Sequence, residues 1–279
     1  MQKTISIVVA IFNRKDELFE LLNSLIAQTD KDFEVIIVDD GSFVDLLPTV
    51  ETFKEMLNIQ YFKKANSGPG LSRNYGANRA KNDWLVFVDS DVIVEKDYIE
   101  NIKKNLEKTD CAAFGGADKA HKGFNLLQKA ISYSMTSVFT TGGIRGSKKA
   151  VTRFQPRSFN MGEDPDLSMT IWENGYQTAF FDDIGVYHKR RTDLGKFSKQ
   201  VYQFGCARPI LNQRHPDYVK PTFWFPTLFL LGYVAGILEY FLLQKGFVLA
   251  CYGFYTLVIF LHALYLTKNI AIAAQAIIT

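Results

Sequence analysis

Only three cysteines occur in 279 residues, Cys111, Cys206 and Cys251. They lie far apart, form no CxxC pair and leave an odd one over, so a disulfide framework and a zinc site are both unsupported, and a reducing compartment fits best. Charge of one sign is lacking too: 32 Lys and Arg face 29 Asp and Glu, and a net charge of +3 is far from the basic excess of a nucleic-acid-binding surface. DNA and RNA are therefore not expected partners. The first apolar run is followed by no GxGxxG, so a phosphate must be held by something other than a glycine-rich loop. No signal peptide is expected either, because Lys3, Asn13, Arg14, Lys15 and Asp16 interrupt any apolar region near the N-terminus. The N-terminal part is expected to be cytosolic.

Charge also vanishes locally. Between Phe223 and Leu266 the only fully charged side chains are Glu239 and Lys245. The stretches 223–243 and 247–266 each approach the ~20 residues needed to cross a bilayer, joined by a turn at Gln244-Lys245-Gly246. The alternative is a buried helical hairpin, which Glu239 and His262 keep open, since an ionisable group in lipid must face a partner or a polar cavity. Lys196, Lys199, Arg208, Arg214, Lys220 and Lys268 flank the pair and place both flanks inside by the positive-inside rule. The expected organisation is a cytosolic domain over residues 1–220 and a membrane region over 221–279, multi-pass in a plasma or inner membrane. Ile270 to Thr279 is apolar but too short to span.

What fills the first 220 residues is an alternation of strands and helices. Ile5–Ile11, Phe33–Val38, Ile59–Lys63, Trp84–Val88 and Cys111–Gly115 read as strands. Leu18, Leu21, Leu22, Leu25 and Ile26 have the spacing of an amphipathic helix that Asn13 or Asp16 can cap. Helices are also expected over 46–57, after the loop 66–70, and over 95–106. This βαβ rhythm gives an α/β fold with a mostly parallel central sheet flanked by helices, Rossmann-like in layout, followed by a transmembrane hairpin.

Two strands end abruptly in acids. Phe33–Val38 runs into Asp39-Asp40-Gly41-Ser42, and Val86–Val88 into Asp89-Ser90-Asp91. Acids at the carboxyl ends of such strands project into the crevice where open α/β sheets bind ligands, and paired carboxylates there suit a hard cation and a phosphate. Further on, Asp164-Pro165 opens a helix that Asn174-Gly175 closes; capping accounts for Asp164 but leaves Glu163 and Asp166 as solvated acids. Basic residues cluster at Arg145, Lys148, Lys149, Arg153 and Arg157, either a loop facing an anion or a solvated one. Lys189, Arg190 and Arg191 pose the same choice.

Taken together, Ser6–Asn13, Val38–Ser42, Gly70–Gly76, Asp89–Asp91 and Gly162–Asp164 resemble the motifs of inverting glycosyltransferase family 2, in that family's order and over roughly residues 4–190. The resemblance implies the A-type nucleotide-diphospho-sugar transferase fold. It implies that Asp40 contacts the uracil of a UDP-sugar, with Ala10 and Arg73 lining the same pocket, that Asp89 reaches the ribose, and that Asp91 holds Mn²⁺ or Mg²⁺ against the diphosphate. His188 would complete the metal's coordination or be structural, and Arg191 would face the diphosphate. Asp164 resembles the base that activates the acceptor hydroxyl, with Glu163 as its substitute. A helix N-terminus weakens a carboxylate base by only ~1 kcal/mol, which does not exclude the role.

One departure narrows the expectation. Processive synthases of the family carry Gln-x-x-Arg-Trp, whereas here Gln203 is followed by Phe204-Gly205-Cys206-Ala207-Arg208 with no tryptophan. Addition of one sugar to a membrane-associated saccharide or lipid-linked acceptor, in surface-polysaccharide or glycolipid assembly, is the expected reaction. A polyprenyl-phosphate glycosyltransferase and a catalytically silent, membrane-anchored nucleotide-sugar-binding scaffold are the alternatives.

Overall fold

The computed structural model describes residues 3–119, 123–141, 163–188 and 193–279. In chain order the first elements are β1 (Ile5–Ile11), α1 (Lys15–Ile26), β2 (Phe33–Asp39), α2 (Leu47–Glu51), β3 (Ile59–Lys63), α3 (Pro69–Ala77) and β4 (Trp84–Phe87). They are followed by β5 (Val92–Val94), α4 (Tyr98–Lys108), β6 (Ala113–Lys119), α5 (Leu126–Thr136), α6 (Val138–Thr141), α7 (Glu163–Glu173) and β7 (Thr178–His188). The last are α8 (Leu194–Arg214), α9 (Phe225–Leu243), α10 (Phe247–Thr267) and α11 (Ile270–Ile278). Two compact units result, Met1–His121 with Gly146–Lys189, and Lys122–Arg145 with Arg190–Thr279. Helix α8 thus groups with the apolar helices.

In the first unit a four-stranded sheet has the order β3-β2-β1-β4, every pairing parallel. Its central strands are largely apolar on both faces because both are covered, and two buried exceptions, Ser6 and Glu34, bond to each other at 2.6 Å. On one face Ile5, Ile7, Val9 and Ile11 pack with Val35, Ile37 and the wholly buried Leu18, Leu21, Leu22 and Leu25 of α1. On the other, Val8, Ile36 and Val38 pack with Tyr75 and Ala80. Gly76 lets α3 approach: a Cβ there would sit 2.5 Å from Val8 Cγ1. A second sheet, β5-β7-β6, pairs β7 antiparallel to β5 and parallel to β6. Its pairing of Val92 with His188 carries that histidine back beside the acids after β4.

Several expected boundaries shift. The helix expected over 46–57 is regular only over Leu47–Glu51, because Phe53 and Met56 close tighter turns with bonds to Val50 and Phe53. The helix expected from Glu95 starts at Tyr98, since the Glu95 carboxylate is tied to Lys119 Nζ and Tyr187 Oη, both at 2.8 Å. Neither Asn13 nor Asp16 caps α1: Arg14 occupies that position with no side-chain cap. Asn13 adopts φ of 54° and its Oδ1 accepts the Phe43 N–H at 2.8 Å.

In the second unit, α9 and α10 form an apolar hairpin that reverses at Gln244, φ 54°. Pro221–Leu243 and Phe247–Thr267 are long and apolar enough to cross a membrane, and only 6% and 11% of the two spans is buried. Two ionisable groups of the hairpin, Glu239 and His262, have partners within the protein. Glu239 Oε2 accepts the Val248 N–H at 3.1 Å, satisfying an otherwise free donor in the first turn of α10. His262 Nδ1 lies 2.8 Å from Tyr133 Oη of α5. The segment after 269 is a helix, α11, started by Asn269 and packed with Ala130, Tyr133, Ile259 and Ala263.

Candidate functional site

The parallel sheet brings its strand ends to one edge, and two acid pairs lie there. Asp39 ends β2 and is fully buried; its Oδ1 accepts the Ser42 N–H at 2.8 Å and its Oδ2 the Tyr61 hydroxyl at 2.7 Å. Asp40 follows, its own N–H bonded to Ile11 O at 2.8 Å. The Asp40 carboxylate takes the Ser67 N–H on Oδ1 at 2.9 Å, the Gly68 N–H on Oδ2 at 2.8 Å, and the Lys64 ammonium. Burial alone would raise this carboxyl, but Lys64, the Ser67 N–H, the Ser72 hydroxyl and the Gly68 N–H outweigh it and hold it below the usual range. Gly41 makes the tight fit possible, with φ of 80° and only 2.9 Å between an added Cβ and Asn66 N.

The second pair is held by side chains from distant parts of the chain. Arg73 Nη2 of α3 donates to Asp89 Oδ1 at 2.7 Å. Asp91 is nearly buried; Arg14 pairs with its Oδ2, and His188 Nε2 lies 3.0 Å from its Oδ1. Burial pushes the Asp91 carboxyl up, yet the His188 imidazole and the Arg14 guanidinium prevail and hold it well below the usual carboxylate range. His188 Nε2 is also 4.0 Å from Asp89 Oδ2. One ligand atom from each of Asp89, Asp91 and His188 falls within 4.8 Å of the other two. Two carboxylate oxygens and an imidazole form a donor set that suits Mn²⁺, and Mg²⁺ through the oxygens.

The structure therefore brings together Arg73, Asp89, Asp91 and His188. Ala10 pairs with Val38 in the neighbouring register and Asp40 follows on the adjacent strand, so both lie at the same sheet edge. Glu163 and Asp164 open α7, but their side chains lie outside the described residues, as do Arg191, Lys189, Arg190 and the basic positions from Arg145 to Arg157. Sequence reasoning missed Arg14, three residues beyond the end of β1, and Lys64, the residue after β3; no local signal separates Arg14 from Lys15 or Lys64 from Lys63. It also missed Phe12 and Phe43, 41% and 90% exposed, whose rings meet edge to face at 5.9 Å beside Asn13 and Ser42.

The family model for glycosyl transferase family 2 matches residues 6–163, and that for glycosyl transferase family group 2 matches residues 106–267. The chain belongs to glycosyl transferase family 2. Among curated members, the poly(ribitol-phosphate) β-N-acetylglucosaminyltransferase TarS of Staphylococcus aureus is 36% identical over 228 residues, covering 71% of this chain and 37% of TarS. The chain spans between 15% and 37% of the lengths of the curated relatives it matches. The crystal structure of TarS residues 1–349 with UDP-GlcNAc superposes with a TM-score of 0.52 and 23% identity, over 68% of this chain and 59% of that one. The mannosyltransferase PcManGT of Pyrobaculum calidifontis, in complex with GDP-Man and Mn²⁺, superposes over 98% of this chain and 86% of its own, with a TM-score of 0.56 and 15% identity. These likenesses establish the A-type glycosyltransferase fold of the family, with the parallel sheet as its centre.

Proposed function

We propose that this family 2 protein transfers a sugar, with inversion, from a nucleotide-diphospho-sugar to a hydroxyl of a membrane-associated acceptor, using a divalent metal. The observation that carries the reading is the convergence of Asp89, Asp91 and His188, with Arg73 alongside, at the carboxyl edge of the parallel sheet. Departure of a nucleoside diphosphate leaves negative charge on a phosphate oxygen, and a bound Mn²⁺ or Mg²⁺ would neutralise it. Asp91 and His188 would hold the ion, and Asp89 would reach the ribose. Ala10, Asp40 and Arg73 would line the nucleotide pocket, and the exposed Phe12–Phe43 pair supports a nucleobase beside them, because aromatic faces stack on any base. Asp164 would take the proton of the acceptor hydroxyl, with Glu163 as substitute and Arg191 facing the diphosphate.

The acceptor side of the reading rests on α9 and α10. Two long apolar helices with little of their surface buried support a membrane anchor over 221–279, with residues 1–220 on the cytoplasmic side. A saccharide or lipid-linked acceptor would then be met at the membrane surface, as surface-polysaccharide or glycolipid assembly requires. UDP is the proposed nucleotide. GDP donors belong in the test because the structural neighbour PcManGT holds GDP-Man.

The test is nucleotide release by detergent-solubilised protein across UDP- and GDP-sugars with Mn²⁺, Mg²⁺ or EDTA, for wild type, Asp91→Ala and Asp164→Asn. Metal-dependent turnover of one donor that needs both acids is the expected result. Activity that survives Asp164→Asn would replace the hydroxyl acceptor with a lipid phosphate, already ionised and in no need of a base. Absence of nucleotide binding would overturn the reading.

A further inference from the structure

We propose that Arg14 is a built-in counter-cation of the acid site, a charge that a divalent ion must displace from Asp91 before that carboxylate can serve as its ligand. The inference rests on the metal-dependent reading above and concerns this chain's own residues. Asp91 is almost wholly buried, and each of its oxygens is already met: Oδ2 by the Arg14 guanidinium, Oδ1 by His188 Nε2 at 3.0 Å. A carboxylate in that position cannot be left unpaired without a large desolvation cost, so some cation must stand beside it in every state of the protein. Arg14 fills this role and is poorly suited to share it. A fixed positive charge within a few ångströms of an incoming divalent ion opposes it directly, and protein surroundings screen that repulsion far less than water does.

The position of Arg14 supports displacement. It occupies the residue immediately before α1, and no side-chain hydrogen bond caps the helix there. Its side chain is one-third exposed and reaches the acid from the far end of the sequence, 77 residues away. The backbone on either side is fixed, by the bond from Asn13 N to Ser42 Oγ at 2.9 Å and by that from Leu18 N to Arg14 O at 3.1 Å. The side chain can therefore leave Asp91 with no movement of the sheet or of α1. Once displaced it remains tethered at the sheet edge where a nucleoside diphosphate would bring two negative groups. Ion and nucleotide would then assist one another, because the Arg14 guanidinium, once off Asp91, would be available to the diphosphate and would be held away from Asp91 by it. Reciprocity of linked equilibria requires both effects to be equal in size.

The experiment is Mn²⁺ binding by the full chain in detergent, followed by electron paramagnetic resonance of free Mn²⁺, with and without UDP. Arg14→Met is expected to bind Mn²⁺ alone roughly tenfold more tightly than wild type, because the competing charge is gone. Arg14→Gln gives the same result and guards against misfolding of one variant, and Arg14→Lys stays near wild type. Lys15→Met, an exposed neighbour with no contact to Asp91, removes the same net charge and is expected to leave the affinity unchanged. UDP should strengthen Mn²⁺ binding by a larger factor in wild type than in Arg14→Met. If folded Arg14→Met and Arg14→Gln bind Mn²⁺ no more tightly than wild type, or if Lys15→Met tightens binding equally, the counter-cation role is overturned. If wild type binds no Mn²⁺ with or without UDP, and Asp91→Asn changes nothing, the metal-dependent reading itself falls.

Discussion

The acid pair after β2 and the acid pair after β4 look alike in the sequence and are treated in opposite ways by the fold. Asp39 and Asp40 are gripped by backbone N–H groups of Ser42, Ser67 and Gly68 in addition to the side chains of Tyr61 and Lys64. Asp91 is met by two side chains, Arg14 and His188, and Asp89 by Arg73. A backbone donor in a closed loop cannot leave without unfolding that loop, whereas a side chain can rotate away at the cost of one ion pair. The first pair thus organises the 41–42 turn and the 64–70 loop. The second is an acid cluster neutralised by side chains alone, partners that would be free to exchange as the proposed metal and diphosphate site needs.

The largest way to test this contrast is to remove one acid from each pair. Asp91→Ala is expected to lower metal-dependent sugar transfer by about a thousandfold, equivalent to ~4 kcal/mol of lost charge stabilisation, while thermal unfolding shifts little. Asp40→Ala is expected to weaken donor binding and, unlike Asp91→Ala, to cost about 3 kcal/mol of stability as well, because it takes the carboxylate partner from Lys64 and leaves two loop N–H groups without their acceptor. Thermal unfolding in detergent alongside nucleotide release separates the two. Equal stability losses would erase the distinction between a backbone-held and a side-chain-held acid.

A second, smaller effect is readable in pH. The Asp40 carboxyl lies below the usual range in the folded chain, so between its folded value and about pH 4 the unfolded chain holds more protons. Its contribution is complete above about pH 4 and is lost as pH falls through the folded value. Asp40→Asn should therefore flatten the acid limb of the stability curve. Lys64→Met, which deletes one of the opposing partners, should shift that limb toward higher pH, and urea unfolding at several pH values measures both.

Much of this architecture was legible in advance because the relevant signals are local. Ile5–Ile11 and Phe33–Asp39 are largely apolar runs that read as interior strands, and the leucines of α1 repeat at helical spacing. Asp89, Asp91 and His188 were also named from the sequence, and the structure places their ligand atoms together. What stayed illegible depends on partners far along the chain. That Asp39 is a fully buried acid bonded to Tyr61 follows from the β2–β3 register, which the composition of neither strand reveals. Arg14 meets Asp91 across 77 positions, and nothing in its neighbours distinguishes it from the exposed Lys15. Glu239, an apparent misfit in an apolar run, makes sense only through Val248, nine residues later in the first turn of α10. The early end of α2 and the late start of α4 have the same origin, tight turns and tertiary bonds overriding helical spacing.

The smallest expected effect probes Asp39, the most deeply buried acid among the described residues. Tyr61→Phe removes the hydroxyl that donates to Asp39 Oδ2 at 2.7 Å, and burial together with Asp39 pushes that hydroxyl's pKa up, keeping it a donor at every working pH. Losing a donor to a buried carboxylate ordinarily costs ~1–3 kcal/mol. Here Lys63 Nζ already lies 3.8 Å from the same carboxylate and is half exposed, so it can close on the vacated oxygen. The cost should fall to about 1 kcal/mol, with Mn²⁺ affinity unchanged because Asp39 faces the sheet interior and its other oxygen keeps the Ser42 N–H. The double variant Tyr61→Phe/Lys63→Met should then lose more than the two single variants combined, since each partner covers for the other. Additive losses in a thermal-unfolding cycle would show that Lys63 does not compensate. A change in Mn²⁺ affinity would place Asp39 with the exchangeable acids after β4.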